Sequence, residues 1–256
     1  MKRMLLVLVG IAIGLVLVVL SEGRMSHLRM LTPGLVPDGA AGVDGRSTVW
    51  RGQLHGLQPA VLPVSAELDW RFGGVETQGV RWDVELSGAG LDGQAVLGLP
   101  LAHDRFEIRA ARAEVLLDEW PSLIDGWPLG GLLLAEAGSA DIGLPERELH
   151  SVSIVLDWSA ARVAGVTIGR GEAVVTSDRA GAWRAPFSLI GDVIRATGTV
   201  HGRLGDPRAQ LEMQLETVSD SLPEEWLRAL DQIGRARDGG WTITREIDLS
   251  QKWPLF

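Results

Sequence analysis

The chain of 256 residues contains no cysteine, no tyrosine and no asparagine, and only two of its 24 basic residues are lysines. Without cysteine, disulfides, metal–thiolate sites and thiol redox chemistry are excluded. Lysine, asparagine and tyrosine share AT-rich codons, so their shortage is typical of a GC-rich genome. Because tyrosine is absent, the ten tryptophans carry most of the aromatic surface available for burial.

Positive charge is also scarce in the body of the chain. The net charge is −9 at pH 7, and residues 1–29 alone carry four basic side chains and one acidic, a net +3 that leaves −12 on the rest. An acidic body argues against nucleic acid as a partner and against a basic patch for lipid surfaces. We therefore expect no nucleic-acid partner.

The longest apolar run of the chain, Met4–Leu20, follows Lys2 and Arg3. A helix needs about 20 apolar residues to span a bilayer, with a minimum near 17. Cleaved signals usually have an apolar part of about 7–15 residues and end in a small-x-small site. No such site ends this run, so we expect 1–24 to be an uncleaved anchor rather than a cleaved signal. The basic residues before it favour a cytoplasmic amino terminus and a body outside the cytoplasm.

A Pro- and Gly-rich linker over 25–45 precedes a body over 46–256 in which apolar and polar residues alternate. Alternation gives each strand one wet and one dry face. This pattern predicts an all-β, antiparallel fold rather than a parallel sheet covered on both faces. The clearest alternating segments are 64–72, 80–86, 152–158 and 209–215.

Two details refine the strand prediction. The alternation changes phase at Ala110-Ala111, which predicts a β-bulge.

Leu68-Asp69-Trp70 recurs as Leu156-Asp157-Trp158, each time at the end of an alternating strand. Such a repeat suggests two halves, 46–126 and 127–256, either as curved sheets or as a sandwich.

A short helix is predicted near the C-terminus. Ser221 and Glu224 fit a capping box, Pro223 would lie in the first turn, and Gly234 would end the helix. One apolar stripe runs along it, so we expect that face to pack against the sheet.

Sequence motifs of catalytic, metal-binding and nucleotide-binding sites are missing. The sequence has no zinc-type histidine spacing, no Gly-x-Ser-x-Gly elbow and no Walker lysine. His103-Asp104 is best interpreted as part of a turn after Pro100, because nothing else converges on it. The tryptophans at 70, 82, 158 and 241 lie on the apolar phase of their strands, which favours core packing. We therefore expect no enzyme, no catalytic residue, no metal and no cofactor.

The start of the body, Gly45-Arg46-Ser47-Thr48-Val49-Trp50-Arg51-Gly52, resembles the Gly-x-x-Thr-Val-Trp-x-Gly element of the protein N family of bacterial type II secretion systems. Strands ending in Leu68-Asp69-Trp70 and Leu156-Asp157-Trp158, and the segment 226–240, add to the resemblance. It implies that the matching motif residues have a structural role. These are Thr48, Val49, Trp50, Gly52, Leu68, Asp69, Trp70 and Trp158.

The resemblance also implies a function and a location. The chain would be a single-pass protein of the bacterial inner membrane with its C-terminal domain in the periplasm. It would be an accessory scaffold of protein secretion that links the inner-membrane platform to the outer-membrane secretin, with those components as partners.

An alternative function is lipid binding or lipid bridging in an apolar β-groove, with lipid as the partner. The two hypotheses differ in the dry face of the sheet. A groove would leave Leu, Val and Ile side chains exposed over more than a few hundred Å², whereas a closed sandwich would not.

Overall fold

The computed structural model describes residues 40–43, 47–48, 50–57, 65–77, 79–100, 105–120, 128–143, 149–178, 180–204, 206, 208–219, 222–237 and 239–248. The predicted anchor over 1–24 and the capping residue Ser221 lie outside these ranges. None of the helices in the described ranges combines the length and apolar character that a membrane-spanning segment requires.

The described body is built from antiparallel strands, as the alternation predicted, and one α-helix near the C-terminus. The first strand lies inside the segment predicted to be a linker. The strands are β1 Ala40–Val43, β2 Arg51–Leu57, β3 Ala66–Glu76, β4 Gly79–Gly88, β5 Leu91–Pro100, β6 Arg105–Leu116, β7 Leu129–Gly143, β8 Leu149–Val163, β9 Val166–Ser177, β10 Ala182–Ile190, β11 Ile194–Arg203, β12 Arg208–Thr217, β13 Arg235–Arg237 and β14 Gly240–Asp248.

All fourteen strands belong to one sheet, in which each strand from β1 to β12 pairs with the next. The order changes only at the end, where β14 pairs with β12 and β13 lies outside β14. The sheet is therefore open, with β1 and β13 at its two edges. The described strands form this single sheet rather than the two sheets of a sandwich, and β6 pairs with β7 across the expected boundary between halves.

Each strand has an inner and an outer face, which we define by the register. Residues that are paired across neighbouring strands point to the same side of a sheet. Trp70, Val84 and Ala95 are register partners, and we call their side the inner face. Asp69 and Glu85 are partners on the other side, the outer face. The apolar residues of the alternating segments thus share the inner face.

The bulge predicted at Ala110-Ala111 is confirmed. Ala110 has φ of +48°, and the register of β5 against β6 shifts between the pairs Val96↔Arg109 and Gln94↔Arg112. Because of the extra residue, Ile108 and Ala113 both lie on the inner face although the sequence phase changes between them.

Two clusters of buried side chains lie at one end of the sheet, which we call the closed end, although Ala140, Val152, Ala185 and Ala209 nearer the other end are also buried. At the closed end β3 begins and β6 ends, and a 3-10 turn, Leu117–Glu119, follows β6. One cluster contains Leu91, Val115 and Leu117. The α-helix, α1 (Glu224–Ile233), also lies at this end, because it follows β12, and its Trp226 and Leu230 belong to a second cluster.

The start predicted for the helix is wrong, whereas its end is confirmed. Pro223, not Ser221, occupies the N-cap position, since the amide groups of Trp226 and Leu227 donate to its carbonyl. Glu224 is then the first helical residue and too early for a capping box. Gly234 ends the helix and donates its N–H to the Leu230 carbonyl at 2.8 Å.

Candidate functional site

The inner face carries an apolar groove of about 280 Å³ between β7 and β12. Its walls are aliphatic and aromatic side chains together with glycine, and only Glu172 and Ser188 are polar. The lining residues are Leu133, Leu156, Trp158, Gly171, Glu172, Ala173, Phe187, Ser188, Leu189, Ile194, Ala196, Met213 and Leu215.

Three small residues, Gly171, Ala173 and Ala196, form part of the groove floor. One row of register partners crosses the inner face from β2 to β14, and five of its twelve residues are alanine or glycine. The row is Leu54, Leu68, Leu86, Gly93, Ala113, Ala135, Leu156, Ala173, Phe187, Gly198, Met213 and Ile243. Of these five small residues only Ala173 lines the groove, and a larger side chain there would fill the space above the sheet.

Side chains block the groove at the closed end. Trp158 packs against both buried clusters, so it joins the helix side to the 3-10 turn side. Its indole Nε1 donates to the Gly130 carbonyl at 2.9 Å, which fixes the ring. Towards the far end of the sheet, where β3 ends and β14 reaches Asp248, the inner-face residues Phe72 and Val175 are half-buried and belong to neither cluster.

The outer face is charged. Arg109 donates a hydrogen bond to the Glu107 carboxylate, and this hydrogen bond raises the pKa of the guanidinium. Arg170 bonds Asp157, and that hydrogen bond likewise raises the pKa of Arg170. The Arg170–Asp157 pair lies on β9 and β8, whose inner residues line the groove, so there the outer face is solvated while the inner face is apolar.

Three of the family-motif residues meet around one indole. The Nε1 of Trp70 donates to the Thr48 carbonyl at 3.0 Å. A Cβ on Gly52 would lie 2.2 Å from Cζ2 of Trp70, so the ring rests directly on this glycine. Trp50 packs edge-on against Phe72, with ring centroids 4.6 Å apart. The arrangement fixes β2 against β3 and offers no polar group for catalysis.

The other motif residues lie elsewhere. Leu68 is on the inner face, between Leu54 and Leu86, and Asp69 is on the outer face. Val49 lies outside the described residues. Trp158 is five strands away from Trp70, yet each indole donates to a carbonyl at the start of the preceding strand or just before it. The structure therefore brings Thr48, Gly52 and Trp70 together but not Trp158.

An apolar β-groove was predicted only as an alternative, and its lining residues were not predicted as a binding site. Alanine and glycine on the dry phase of several strands were the available signal, because a core strand normally places larger residues there. Within the described ranges, no group of three or more His, Cys, Asp or Glu side chains is placed to hold a metal ion. Comparison of the chain with models of protein families, with curated proteins and with solved structures finds no match.

Proposed function

We propose that this protein binds lipid in the bacterial cell envelope, with an acyl chain lying in the groove on the inner face of the sheet. In this proposal the anchor over 1–24 holds the chain in the inner membrane, and the β-rich body lies in the periplasm. The observation that carries it is the apolar groove across an open sheet.

The size and lining of the groove suit a hydrocarbon chain. A volume of about 280 Å³ accommodates roughly nine or ten methylene groups, if each is about as large as a water molecule, whose share of the liquid is about 30 Å³. Water in the groove would find few hydrogen-bonding partners among side chains such as Leu156, Phe187 and Met213. Displacement of that water by an alkyl chain contributes about 0.8 kcal/mol per buried methylene.

The closed end favours lipid binding over lipid bridging. A bridge needs a channel that is continuous at both ends, but Trp158, α1 and the 3-10 turn occupy one end of this groove. A chain that enters from the far end would stop with its methyl terminus near Trp158. The protein would then hold one lipid at a time.

A brominated fatty acid tests the proposal, because bromine quenches the fluorescence of a tryptophan that it contacts. The full-length protein, held in amphipol, would be titrated and its tryptophan emission recorded. We expect saturable quenching in the wild type. Ala173→Phe, which fills the groove floor, should weaken binding by at least about tenfold. Absence of saturable quenching in the wild type would overturn the proposal.

The matched control is the next residue in the chain. Val174 points to the outer face and is 42% exposed. Val174→Phe adds the same ring on the opposite side of the sheet, so we expect unchanged quenching. If Val174→Phe weakened binding as much as Ala173→Phe, the ligand would not lie in the groove.

A second candidate function is an assembly component of type II secretion. The supporting observation is that Thr48, Gly52 and Trp70, which carry the resemblance to the protein N family, form one contact beside the edge strand β1. Edge strands present unpaired N–H and C=O groups to which another chain can add a strand. Crosslinking in intact cells, followed by isolation of the full-length protein, should then recover a secretin or a platform protein. Recovery of neither would contradict this role.

A further inference from the structure

We infer that Arg245 binds the anionic headgroup of the lipid, so that the ligand is an acyl chain with a carboxylate or phosphate head. This inference rests on the proposed function, because it assigns the class of lipid that the groove takes. It starts from the register of β14, whose inner-face residues are Trp241, Ile243, Arg245 and Ile247.

Arg245 is the one charged residue that the register places on the inner face of the described strands. Glu172 borders the groove, but its register partners Asp157 and Ser188 lie on the outer face. The register places the Cα of Arg245 opposite Leu211 of β12, and that row continues through Val200 of β11 to Ala185 of β10. Ser177 on β9 and Thr217 on β12 are polar residues of the inner face, and neither is ionisable in the physiological range. A cation on so large an apolar face needs a specific explanation.

No carboxylate in the described part of the chain neutralises Arg245. The structure shows neither an ion pair nor a hydrogen bond for this guanidinium within those ranges. Glu212 and Glu216 of β12 and Glu246 of β14 are register partners of Thr244, Gly240 and Gln210 on the outer face. Arg245 is an exposed residue and is therefore accessible to an anion from solution.

The position of Arg245 matches the expected position of a headgroup. The row that crosses the groove ends at Met213 and Ile243, and Arg245 lies two residues, about 7 Å, further towards the far end. Trp158 lies on β8 and Met213 on β12, so an acyl chain that crosses the groove from Trp158 towards Met213 would have its polar head on the side of Arg245. The long aliphatic part of an arginine side chain can lie along an apolar surface while its guanidinium contacts a polar group.

The guanidinium determines the chemical class of the head. Its planar set of N–H donors matches the two oxygens of a carboxylate or phosphate, and such charge-assisted bonds are stronger than neutral ones. A zwitterionic or uncharged head would gain less binding free energy from the guanidinium. One arginine at the groove is compatible with the acidic body, because the interaction is local and needs no basic patch.

An inward-pointing charge can also protect a sheet edge from pairing with another chain. Beyond Thr242, β14 has β12 as its only described neighbour, so Arg245 does lie at an edge. Charge of either sign protects an edge, whereas only positive charge binds an anionic head. Arg245→Glu therefore separates the two roles, because it keeps the edge charged and reverses the ligand preference.

The experiment compares three brominated amphiphiles of equal chain length: a fatty acid, its methyl ester and an alkyltrimethylammonium ion. Quenching of tryptophan fluorescence in the full-length protein gives each Kd. In the wild type we expect the fatty acid to bind about tenfold more tightly than the ester, at the weak end of hydrogen bonds to charged groups. Arg245→Gln should abolish this difference, and Arg245→Glu should favour the ammonium ion. Preference for the acid should also fall as ionic strength rises.

Arg184→Gln is the matched control. Arg184 is exposed, lies at a similar height on β10, and is paired with His201 on the outer face. Its substitution should leave the preference for the fatty acid intact. Inorganic phosphate is tested as a competitor. It should not displace the fatty acid at comparable concentration, because it lacks an acyl chain.

The outcomes separate the two proposals. Failure of all three amphiphiles to bind would overturn the groove and the Arg245 assignment together. Equal binding of acid and ester, unchanged in Arg245→Gln, would overturn the Arg245 assignment and leave the groove intact. Displacement of the fatty acid by inorganic phosphate alone would show an anion site without an acyl requirement, which also overturns the assignment. Reversal of preference in Arg245→Glu would support it.

Discussion

At the scale of single residues, the packing of Trp70 explains why a glycine lies at position 52. The indole ring covers the position that a Cβ would occupy and donates its N–H to the Thr48 carbonyl. A tryptophan buries much apolar surface, but its N–H also needs an acceptor when water is excluded. A glycine on one strand and a tryptophan opposite it on the next satisfy both needs. This contact fixes β2 against β3.

Gly52→Ala should therefore destabilise the protein. The added methyl would lie 2.2 Å from Cζ2 of Trp70, so the ring must move, and overpacking of this kind costs about 1–3 kcal/mol. For a chain of this size we expect Tm to fall by about 2–4 °C per kcal/mol. Thermal unfolding followed by circular dichroism measures the change.

Gly138→Ala provides the control for that substitution. Gly138 has no heavy atom within 4 Å of an added Cβ, and its φ is not in the left-handed region. Alanine there should leave Tm unchanged or raise it slightly, since it reduces the freedom of the unfolded chain. Equal losses in both variants would mean that Trp70 does not rest on Gly52.

At the scale of elements, α1 acts as the cover of the closed end. Trp226 and Leu230 are 6% and 7% exposed and pack with Ile194, Leu215 and Ile243 of the sheet. Asp231 adds a polar link, because its carboxylate accepts the Trp241 indole N–H at 2.8 Å. A ten-residue helix is too short to be stable alone, so this packing is what keeps it folded.

Leu230→Ala should loosen the helix from the sheet. Truncation of a buried leucine costs about 2–5 kcal/mol, and we expect faster amide hydrogen exchange in 224–233 together with a lower Tm. Arg228→Ala is the control, because its side chain is 73% exposed and its only described pairing is with Glu224 at 3.9 Å. An exposed pair of this kind contributes at most about 0.5 kcal/mol. Unchanged exchange in Leu230→Ala would argue against the cover.

The elements also show what the sequence could predict. The bulge at Ala110 was predictable, because a strand has a fixed period of two and an extra residue must reverse the phase. The start of the helix was not predictable. Ser221-x-x-Glu224 matches the sequence pattern of a capping box, but Pro223 occupies the N-cap position. Pro223 has a fixed φ and an extended ψ here, so the first helical residue is the one that follows it.

At the scale of the whole molecule, the alternation predicted which residues share a face but not how the strands are arranged. A dry face can be covered by a second sheet, by helices or by a ligand, and all three give the same period in sequence. The groove depends on where small residues lie beside larger ones across strands, as Ala173 does between Leu156 and Phe187. That depends on register, which is set by pairing between segments rather than within one.

The continuous sheet predicts that the body unfolds as one unit, although its sequence suggests two halves. β6 and β7 pair on either side of the expected boundary, and Trp158 packs against both buried clusters. Neither half can then lose its core without exposing part of the other. Differential scanning calorimetry of the full-length protein should show one transition whose calorimetric and van't Hoff enthalpies agree.

Two substitutions, one in each cluster, make this prediction specific. Leu117 is 4% exposed and Ile243 is 1% exposed, and replacement of either by alanine costs about 2–5 kcal/mol. If the body is one cooperative unit, Leu117→Ala and Ile243→Ala should each lower the Tm of the same single transition. If 46–126 and 127–256 unfold independently, each variant would shift only one of two transitions, and Trp158 would not couple the clusters.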